Sequence, residues 1–279
     1  MKAQSRDLVV LVPIYNAAQS LRRCLDSLVA AMPSPARLLM ADDASPDPQV
    51  QQICRALVER LPERAQVIRR SENLGFVGNV NQAMQHCAGA DVVLLNSDTQ
   101  VSPGWLEGLV ACANSDRRIA TITPWSNNAE ICSFPQFCQA NPMPTAGELQ
   151  ALARAARHLQ DEPAMDLPTA VGFAMWVRRE AWDQLGGFDQ ATFGKGYGEE
   201  NDFCFRAAGH GWRNVLCPSA YVAHEGHASF VDTGHRPGGE NLARLCARYP
   251  DYNARIASFI DADPIRPLRE KFSAALRAR

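Results

Sequence analysis

The sequence has no long apolar run, no closely paired cysteines and no large excess of charge of either sign. No stretch approaches the apolar length of a membrane span, so we expect a soluble protein. The nine cysteines include no C-x-x-C pair, which is typical of reduced thiols packed as small hydrophobic groups. Because 28 basic residues face 30 acidic ones, no overall basic field attracts nucleic acid.

The amino-terminal segment also lacks the features of a secretory signal. Lys2 and Arg6 precede an apolar run, but that run is too short for a signal-peptide core and no small-residue cleavage site follows it. We therefore expect a cytoplasmic location.

Apolar runs alternate with helical patterns over the first 123 residues. Predicted strands cover residues 8–12, 38–41, 66–69, 91–95 and 119–123, and predicted helices cover 17–32, 50–61 and 75–87, with another opened by Ser102 and Pro103. Strands that alternate with helices predict right-handed βαβ units and a mostly parallel sheet, hence an α/β fold.

The second half has a more varied pattern. Residues 124–144 lack periodicity and suggest a long functional loop, and residues 192–198 are rich in glycine and expected to be mobile. Helices are predicted at 148–159, up to 185, at 199–208 and from 237 onward, and strands at 169–177, 212–217 and 220–223.

Three of the predicted strands end in polar loops at one edge of the sheet. The loops read P-I-Y-N at 13–16, D-D-A-S at 42–45 and N-S-D-T at 96–99. Turn formation alone explains any one of them. Because ligands of open α/β sheets bind at the carboxyl ends of the strands, the convergence of all three predicts a binding site.

Two further clusters contain candidate chemical groups. In G-K-G-Y-G-E-E-N-D at 194–202, adjacent glutamates follow a glycine loop, which suits either a general base under a lid or acids that complement a helix dipole. In A-H-E-G-H at 223–227 the spacing differs from the H-E-x-x-H zinc helix, so one histidine as a metal ligand or phosphate contact fits better than a zinc site.

Six motifs in order resemble glycosyltransferase family 2, the inverting nucleotide-sugar transferases of the GT-A fold. They are VPIYN, ADDASPD, ENLGFVGNVNQA, LLNSDT, GEENDFCFR and AHEGHASF, and they cover most of residues 7–230. The resemblance implies a GT-A domain over 1–230, with a nucleotide-binding half at about 7–123 and an acceptor half at about 124–230. The remainder, 231–279, resembles the helical ends of bacterial polysaccharide-assembly members.

The resemblance also implies roles for individual residues. Those matched to the nucleotide site are Pro13, Tyr15, Asn16, Asp43, Asn73, Gly75, Asn79, Asn96 and Ser97. Among them Asp43 matches the acid that reads the imide N–H of a pyrimidine. Asp98 and His224 match the metal site, Glu200 the general base, and Glu199 the acceptor contact. Because Glu200 begins a helix, we expect its carboxylate to stay ionised at neutral pH.

Two departures from the family pattern bear on the chemistry. Asn96 stands where the first acid of D-x-D is expected, and Glu200 stands where Asp is usual. The implied cofactor is Mn²⁺ or Mg²⁺, and a histidine ligand favours Mn²⁺ because imidazole is the softer donor. The adjacent Glu199 remains an alternative base.

The implied co-substrates are a nucleotide diphosphate sugar of the UDP or dTDP type and a hydroxyl of a glycan or lipid-linked saccharide in surface polysaccharide synthesis. Peripheral association with a membrane or a polysaccharide-assembly complex stays open. The alternatives are a catalytically weak scaffold that binds sugar nucleotides, which Asn96 keeps open, and a sugar-phosphate nucleotidyltransferase. The latter is disfavoured because the first strand is followed by VPIYNAAQS, which has no glycine for a phosphate loop.

Overall fold

A central eight-stranded sheet organises the chain. The computed structural model describes residues 7–194, 196–226 and 239–278. The strands are β1 (Leu8–Ile14), β2 (Arg37–Asp42), β3 (Ala65–Arg69), β4 (Asp91–Leu95), β5 (Thr99–Gln100), β6 (Ile119–Trp125), β7 (Met165–Asp166), β8 (Ala174–Val177), β9 (Arg213–Tyr221) and β10 (Ala223–His224). The order in the large sheet is β3-β2-β1-β4-β8-β6-β9-β7, while β5 and β10 pair separately.

Helices cover both faces of this sheet. They are α1 (Ala18–Ala31), α2 (Pro48–Arg60), α3 (Gly75–Met84), α4 (Trp105–Ser115), α5 (Ala146–Arg157), α6 (Arg179–Leu185), α7 (Gln190–Phe193), α8 (Glu199–Gly209), α9 (Gly239–Arg248), α10 (Tyr252–Ala262) and α11 (Arg266–Arg277). The first four strands in the order pair in parallel and β8 runs antiparallel between β4 and β6. The predicted α/β fold with a mostly parallel sheet is confirmed.

The central strands are apolar because they are buried on both faces. In β1 every residue after Leu8 is buried, and all five residues of β4 are buried. Such strands read as continuous apolar runs rather than as alternating patterns. Their polar continuation therefore begins where each strand leaves the sheet.

Four predicted elements have clearly different bounds in the structure. The helix expected at Ser102 and Pro103 begins at Trp105, because Gly104 takes the left-handed conformation (φ 95°) at its N-cap. The strand expected at 169–177 is confined to β8, because the backbone N–H groups of Ala170 and Val171 donate to side chains instead of to a strand.

The two strands predicted at 212–217 and 220–223 are largely one strand, β9, which pairs in parallel with β6. The pairing shifts register between β6 and β9: Pro124 lies opposite Cys217, but the next residue, Trp125, lies opposite Tyr221. The extra residues of β9, which include Pro218, bulge out of the pairing, so this proline does not end the strand.

The carboxyl-terminal helix α11 completes the main hydrophobic core. Phe272 is fully buried, and its ring stacks on Phe134 with centroids 4.0 Å apart and meets the ring of Trp125 at 5.8 Å. Lys271 of the same helix pairs with Glu162 at 2.6 Å. The tail is thus packed against the long loop at 124–144, and the domain boundary at 230 stays a prediction.

Within the described ranges no helix is both long and apolar enough to cross a membrane. Each of the nine cysteines is a free thiol.

Candidate active site

The loops after β1 and β2 are tied to each other. Asn16 and Ala17 are consecutive left-handed residues (φ 56° and 54°), and the Asn16 N–H donates to Ser45 Oγ at 2.9 Å. The side-chain Oδ1 of Asn16 is buried without a hydrogen-bond partner. A buried acceptor of this kind at a strand end is suited to a ligand donor.

Pro13 and Tyr15 flank the same turn. Pro13 is buried in β1 opposite Ala41 of β2, and Tyr15 is half-buried just beyond the strand. The predicted loop therefore starts with a buried residue and opens toward the edge of the sheet.

The two aspartates at the end of β2 have different partners. Asp42 forms an ion pair with Arg69 and accepts the Ser45 N–H at 2.9 Å, so it stabilises the loop. Asp43 accepts the Leu74 N–H at 2.8 Å at the start of α3. Burial raises the pKa of Asp43 above its usual range, although the backbone donors of Leu74 and Gly75 oppose this.

Asn73 and Gly75 form the turn into α3. Asn73 Oδ1 accepts the Gly75 N–H at 3.1 Å, and its Nδ2 lies 3.5 Å from the Asp43 carbonyl oxygen. Gly75 has φ 74°, a conformation that costs glycine little. These predicted site residues are thus brought together with Asp43.

Asn79 is buried and uses its amide on the protein. Its Nδ2 donates to the Ala41 carbonyl at 2.7 Å, and its Oδ1 accepts from Arg70 Nε at 3.0 Å. Arg70 also acts electrostatically on Asp43. The sequence reasoning missed Arg70, although its position directly after β3 at the same edge of the sheet was a usable signal.

The segment 96–98 leaves β4 at the same edge. The Asn96 N–H donates to the Phe173 carbonyl at 2.8 Å, and its own carbonyl accepts from Thr99 Oγ1 at 2.7 Å. Ser97 and Asp98 are buried, with Asp98 6% exposed. These bonds fix the turn that presents the Asp98 carboxylate.

Asp98 and His224 face each other because β5 and β10 pair. In that antiparallel pair Thr99 lies opposite His224, and Asp98 Oδ1 lies 3.5 Å from His224 Nε2. The sequence analysis grouped Asp98 with His224, and the structure brings these two residues together although 126 positions separate them in the chain. His227, the other histidine of this motif, lies outside the described residues.

The orientation of His224 is set by residues of the long loop. Its Nδ1 lies 2.7 Å from the Asn128 carbonyl, so Nδ1 carries the proton and donates it. The Asn127 amide accepts the His224 N–H at 2.8 Å and donates to its carbonyl at 2.9 Å. Phe173 stacks on the imidazole with ring centroids 5.1 Å apart. Asn127 and Asn128 were missed as individual residues, although their loop was predicted to be functional.

The next residue, Glu225, fastens this segment to α1. Its carboxylate accepts from Ser20 Oγ at 2.6 Å and pairs with Arg23, and its N–H donates to the Asp98 carbonyl at 3.0 Å. Glu225 is therefore engaged in holding the motif rather than facing the Asp98–His224 pair.

The residues present fit a divalent cation. Because Nδ1 donates to a carbonyl, Nε2 is the nitrogen left for a cation, which is the usual arrangement of a histidine metal ligand. A cation bound there would replace the proton that Nε2 otherwise shares with Asp98. Burial lowers the pKa of His224, but the hydrogen bond to Asp98 and its charge outweigh that and raise it overall. Among the described residues no group of three acid, histidine or cysteine side chains could hold a metal, so a cation here needs ligand oxygens from the substrate.

Glu199 and Glu200 begin α8 after Gly198, whose φ is 101°. Glu199 is 5% exposed, Glu200 is half-buried, and each has an Oε2 that is buried without a partner. Glu200 Oε1 lies 3.3 Å from Asn201 Nδ2. Unpaired carboxylate oxygens at this position are acceptors available to a substrate hydroxyl.

Burial opposes the helix dipole at Glu200, and its ionisation at neutral pH stays a prediction. Burial raises the pKa of Glu200 and, more strongly, that of Glu199, where the charge of Glu200 adds to the effect. Desolvation therefore outweighs the dipole at this helix start. A base with a raised pKa is closer to the range in which general bases work at neutral pH.

Tyr197 lies near both the glutamate pair and Asp98. Burial raises its pKa, and the charges of Glu199, Glu200 and Asp98 raise it further, so the phenol lies near both acidic groups. Its φ of 69° is uncommon for a large side chain and is typical of functional sites. The sequence reasoning missed it inside the glycine-rich segment, of which Lys195 lies outside the described residues.

Comparison with known proteins gives consistent results. The sequence model described as Glycosyl transferase family 2 matches residues 9–186. An N-acetylglucosaminyl-diphospho-decaprenol L-rhamnosyltransferase of Mycobacterium tuberculosis is 28% identical over 264 residues, covering 87% of this chain and 81% of that protein. A pre-mycofactocin glycosyltransferase of the same species is also 28% identical, over an alignment that covers 89% of this chain and 49% of that protein.

Two solved structures share the fold. A crystal structure of GalNAc-T7 with UDP, GalNAc and Mn²⁺ aligns with a TM-score of 0.67 and 17% identity over 96% of this chain and 55% of that one. The mannosyltransferase PcManGT from Pyrobaculum calidifontis, in complex with GDP-Man and Mn²⁺, aligns with a TM-score of 0.57 and 16% identity. That alignment covers 97% of this chain and 85% of the other. The predicted GT-A architecture is thereby confirmed.

Proposed function

The chain belongs to glycosyl transferase family 2 and is a glycosyltransferase, and we propose that it transfers a sugar with inversion from a nucleotide diphosphate sugar to an acceptor hydroxyl. Family membership decides against the nucleotidyltransferase alternative. The observation that carries the proposal is that Glu200, whose Oε2 is buried without a partner, lies against Gly172, the residue before the Phe173 that stacks on His224, and that the charges of Glu200 and Asp98 both act on Tyr197.

The donor half would be held by the loops at the strand ends. Asp43, already fixed by the Leu74 N–H, is suited to accept an imide N–H, which supports a pyrimidine nucleotide of the UDP or dTDP type. Asn16 offers a buried acceptor in the adjoining loop. Asn79 would act through Arg70, because its own amide is already engaged.

Asp98 and His224 would hold a divalent cation together with the donor diphosphate. The cation, when bound, offsets the negative charge that builds up on the departing diphosphate. The imidazole ligand supports Mn²⁺ over Mg²⁺. Because Asn96 stands where D-x-D has its first acid, Asp98 is the residue of this segment that would supply a carboxylate to the cation.

Glu200 would take the proton of the acceptor hydroxyl while its oxygen attacks the anomeric carbon. The new bond joins that oxygen to the sugar, the bond from the sugar to the diphosphate breaks, and the proton stays on Glu200. Attack from the face opposite the leaving group inverts the anomeric centre. Glu199, buried beside it, would orient the acceptor.

A lipid-linked saccharide is the acceptor class that one of the two relatives supports. The name of the M. tuberculosis rhamnosyltransferase specifies a decaprenol-linked saccharide. Such an acceptor would bring this enzyme to a membrane surface, in keeping with a role in surface polysaccharide assembly.

The experiment is a panel of UDP, dTDP and GDP sugars with Mn²⁺ or Mg²⁺, in which released nucleoside diphosphate and thermal stability are measured together. A true donor should raise the melting temperature by mass action and be slowly hydrolysed or transferred. Binding without any release of diphosphate would instead identify a scaffold, and no binding of any sugar nucleotide would contradict the proposal.

A further inference from the structure

A cluster of ion pairs around one buried aspartate joins helix α8, which begins with the two glutamates, to helix α9 of the tail. Asp202 of α8 is fully buried. Its Oδ2 accepts from Arg206 Nε at 2.8 Å, and its Oδ1 accepts from a guanidinium nitrogen of Arg248 at 2.6 Å and from the Tyr249 hydroxyl at 2.9 Å. Arg206 lies one helical turn from Asp202, whereas the other two partners come from the tail.

Arg248 also binds the helix that precedes the glycine loop. Its second guanidinium nitrogen donates to Asp189 Oδ2 at 2.8 Å and to Thr192 Oγ1 at 2.9 Å. One side chain therefore connects α7, α8 and α9 at the two ends of the loop 194–198. The planar guanidinium donates in several fixed directions at once, which lysine cannot do.

The beginning of α9 holds the loop itself. Asn241 Nδ2 donates to the carbonyl oxygens of Phe193 at 2.9 Å and Gly196 at 2.6 Å. Arg244 donates to the Thr192 carbonyl at 3.0 Å. The backbone that leads into Tyr197 and the two glutamates is therefore fastened by side chains from the tail.

We infer that Arg248 is a positioning residue for the transfer reaction, acting through Asp202 and the glycine loop to fix Glu200 relative to the donor. The inference rests on the proposed function. Arg248 touches neither the strand-end loops of the donor site nor Glu200 in the contacts described above, so its effect should fall on turnover rather than on donor binding. Small displacements of a reacting group cost large factors in rate.

The test compares Arg248→Ala with Arg248→Lys, and with Arg266→Ala as a matched control. Arg266 lies in the same tail, has an exposed side chain that pairs with the buried Asp263, and has no described contact with α7 or α8. We expect Arg248→Ala to lower kcat by about 10–100-fold at saturating donor and acceptor, with the donor KM changed less than about twofold. Arg248→Lys should recover part of the loss, and Arg266→Ala should match the wild type.

Hydrogen exchange of the same variants keeps the inference testable if Arg248→Ala is unstable or if no donor is found. Amides of residues 196–206 should exchange faster in Arg248→Lys than in Arg266→Ala. Wild-type kcat in Arg248→Ala, or equal exchange in Arg248→Lys and Arg266→Ala, would overturn the positioning role. Failure of the wild-type enzyme to consume any sugar nucleotide would instead count against the proposed function, and the exchange result would still decide the role of Arg248.

Discussion

The residues proposed to bind the donor and those proposed to bind the acceptor differ in how their polar groups are satisfied. On the donor side Asp43, Asn73 and Asn79 are hydrogen-bonded to backbone or to each other's loops. On the acceptor side Glu199 and Glu200 each keep a buried oxygen without a partner, and burial raises the pKa of both. The first set is thus held mainly by the protein itself and keeps one buried acceptor without a partner, Asn16 Oδ1, while the second keeps two carboxylate oxygens without partners for the chemical step.

This difference suggests that one set of residues binds the donor while the other acts in the chemical step, and substitutions can separate the two roles. Loss of a donor-side residue should first appear as weaker binding of the sugar nucleotide or of metal. Loss of an acceptor-side residue should appear in kcat or in its pH dependence, because interactions made in the transition state change turnover.

Asp98→Ala is expected to have the largest effect on the donor side. It removes the carboxylate that faces His224, so metal-dependent donor binding and transfer should both be abolished while the fold is kept. Asn96→Asp is the matched control, since it adds an acid at the neighbouring position and should strengthen Mn²⁺ dependence. Wild-type turnover in Asp98→Ala with unchanged Mn²⁺ dependence would rule out the metal role.

His224→Ala should weaken Mn²⁺-dependent donor binding by on the order of 100-fold. The reason is that its Nε2 faces Asp98 while Nδ1 is held by the Asn128 carbonyl. Calorimetry with Mn²⁺ and the sugar nucleotide checks this, with the exposed His86→Ala as control. Equal affinities for the two variants would remove His224 from the site.

Asn127→Ala should have a smaller effect of the same kind, on the order of tenfold, because it acts on His224 through the backbone. Asn128→Ala is the natural comparison, since it leaves the carbonyl that accepts from Nδ1 in place. The same calorimetric titration applies, and a larger loss in Asn128→Ala than in Asn127→Ala would contradict the assignment.

Glu130→Gln should have the smallest effect and act only on the acceptor side. Burial is the main cause that raises the pKa of Glu200, and the charge of Glu130 adds to it. Since Glu200 must be deprotonated to act as a base, kcat should fall as the pH drops through this raised pKa. Removing the nearby charge should lower that pKa and move the acid limb of the pH–kcat profile to lower pH.

A titration of kcat against pH, with the exposed Glu63→Gln as control, measures this shift. If the acid limb of Glu130→Gln stays in place or moves to higher pH, the charge of Glu130 does not raise the pKa of Glu200.

The strand-end residues could be predicted because parallel strands bring their carboxyl ends together. The same reasoning located Asp43 and Asp98, and the motif order located His224. Their contact depends on the pairing of β5 with β10, and strands of two residues are too short to give a periodic signal. The sequence therefore offered reasons to group these residues, but not the pairing of strands through which they meet.

Other features depend on tertiary packing that no local pattern encodes. The sequence argument for Glu200 included only the local helix dipole, whereas the burial that raises its pKa is set by distant elements. Arg248 reaches Asp202 across 46 positions, and such a pair has no sequence spacing to reveal it. Asn127 lies in a loop without periodicity, where only the structure distinguishes it from its neighbours.

The central claim is that Glu200 is the general base beside a donor site built at the strand ends. The most direct test is kcat of Glu200→Gln and Glu199→Gln at saturating donor and acceptor. Glu200→Gln should keep donor affinity and lose about 10²–10⁴-fold in rate, because the amide cannot take the hydroxyl proton. Glu199→Gln should raise the acceptor KM more than it lowers kcat. Wild-type kcat in Glu200→Gln, with the large loss in Glu199→Gln instead, would contradict the account.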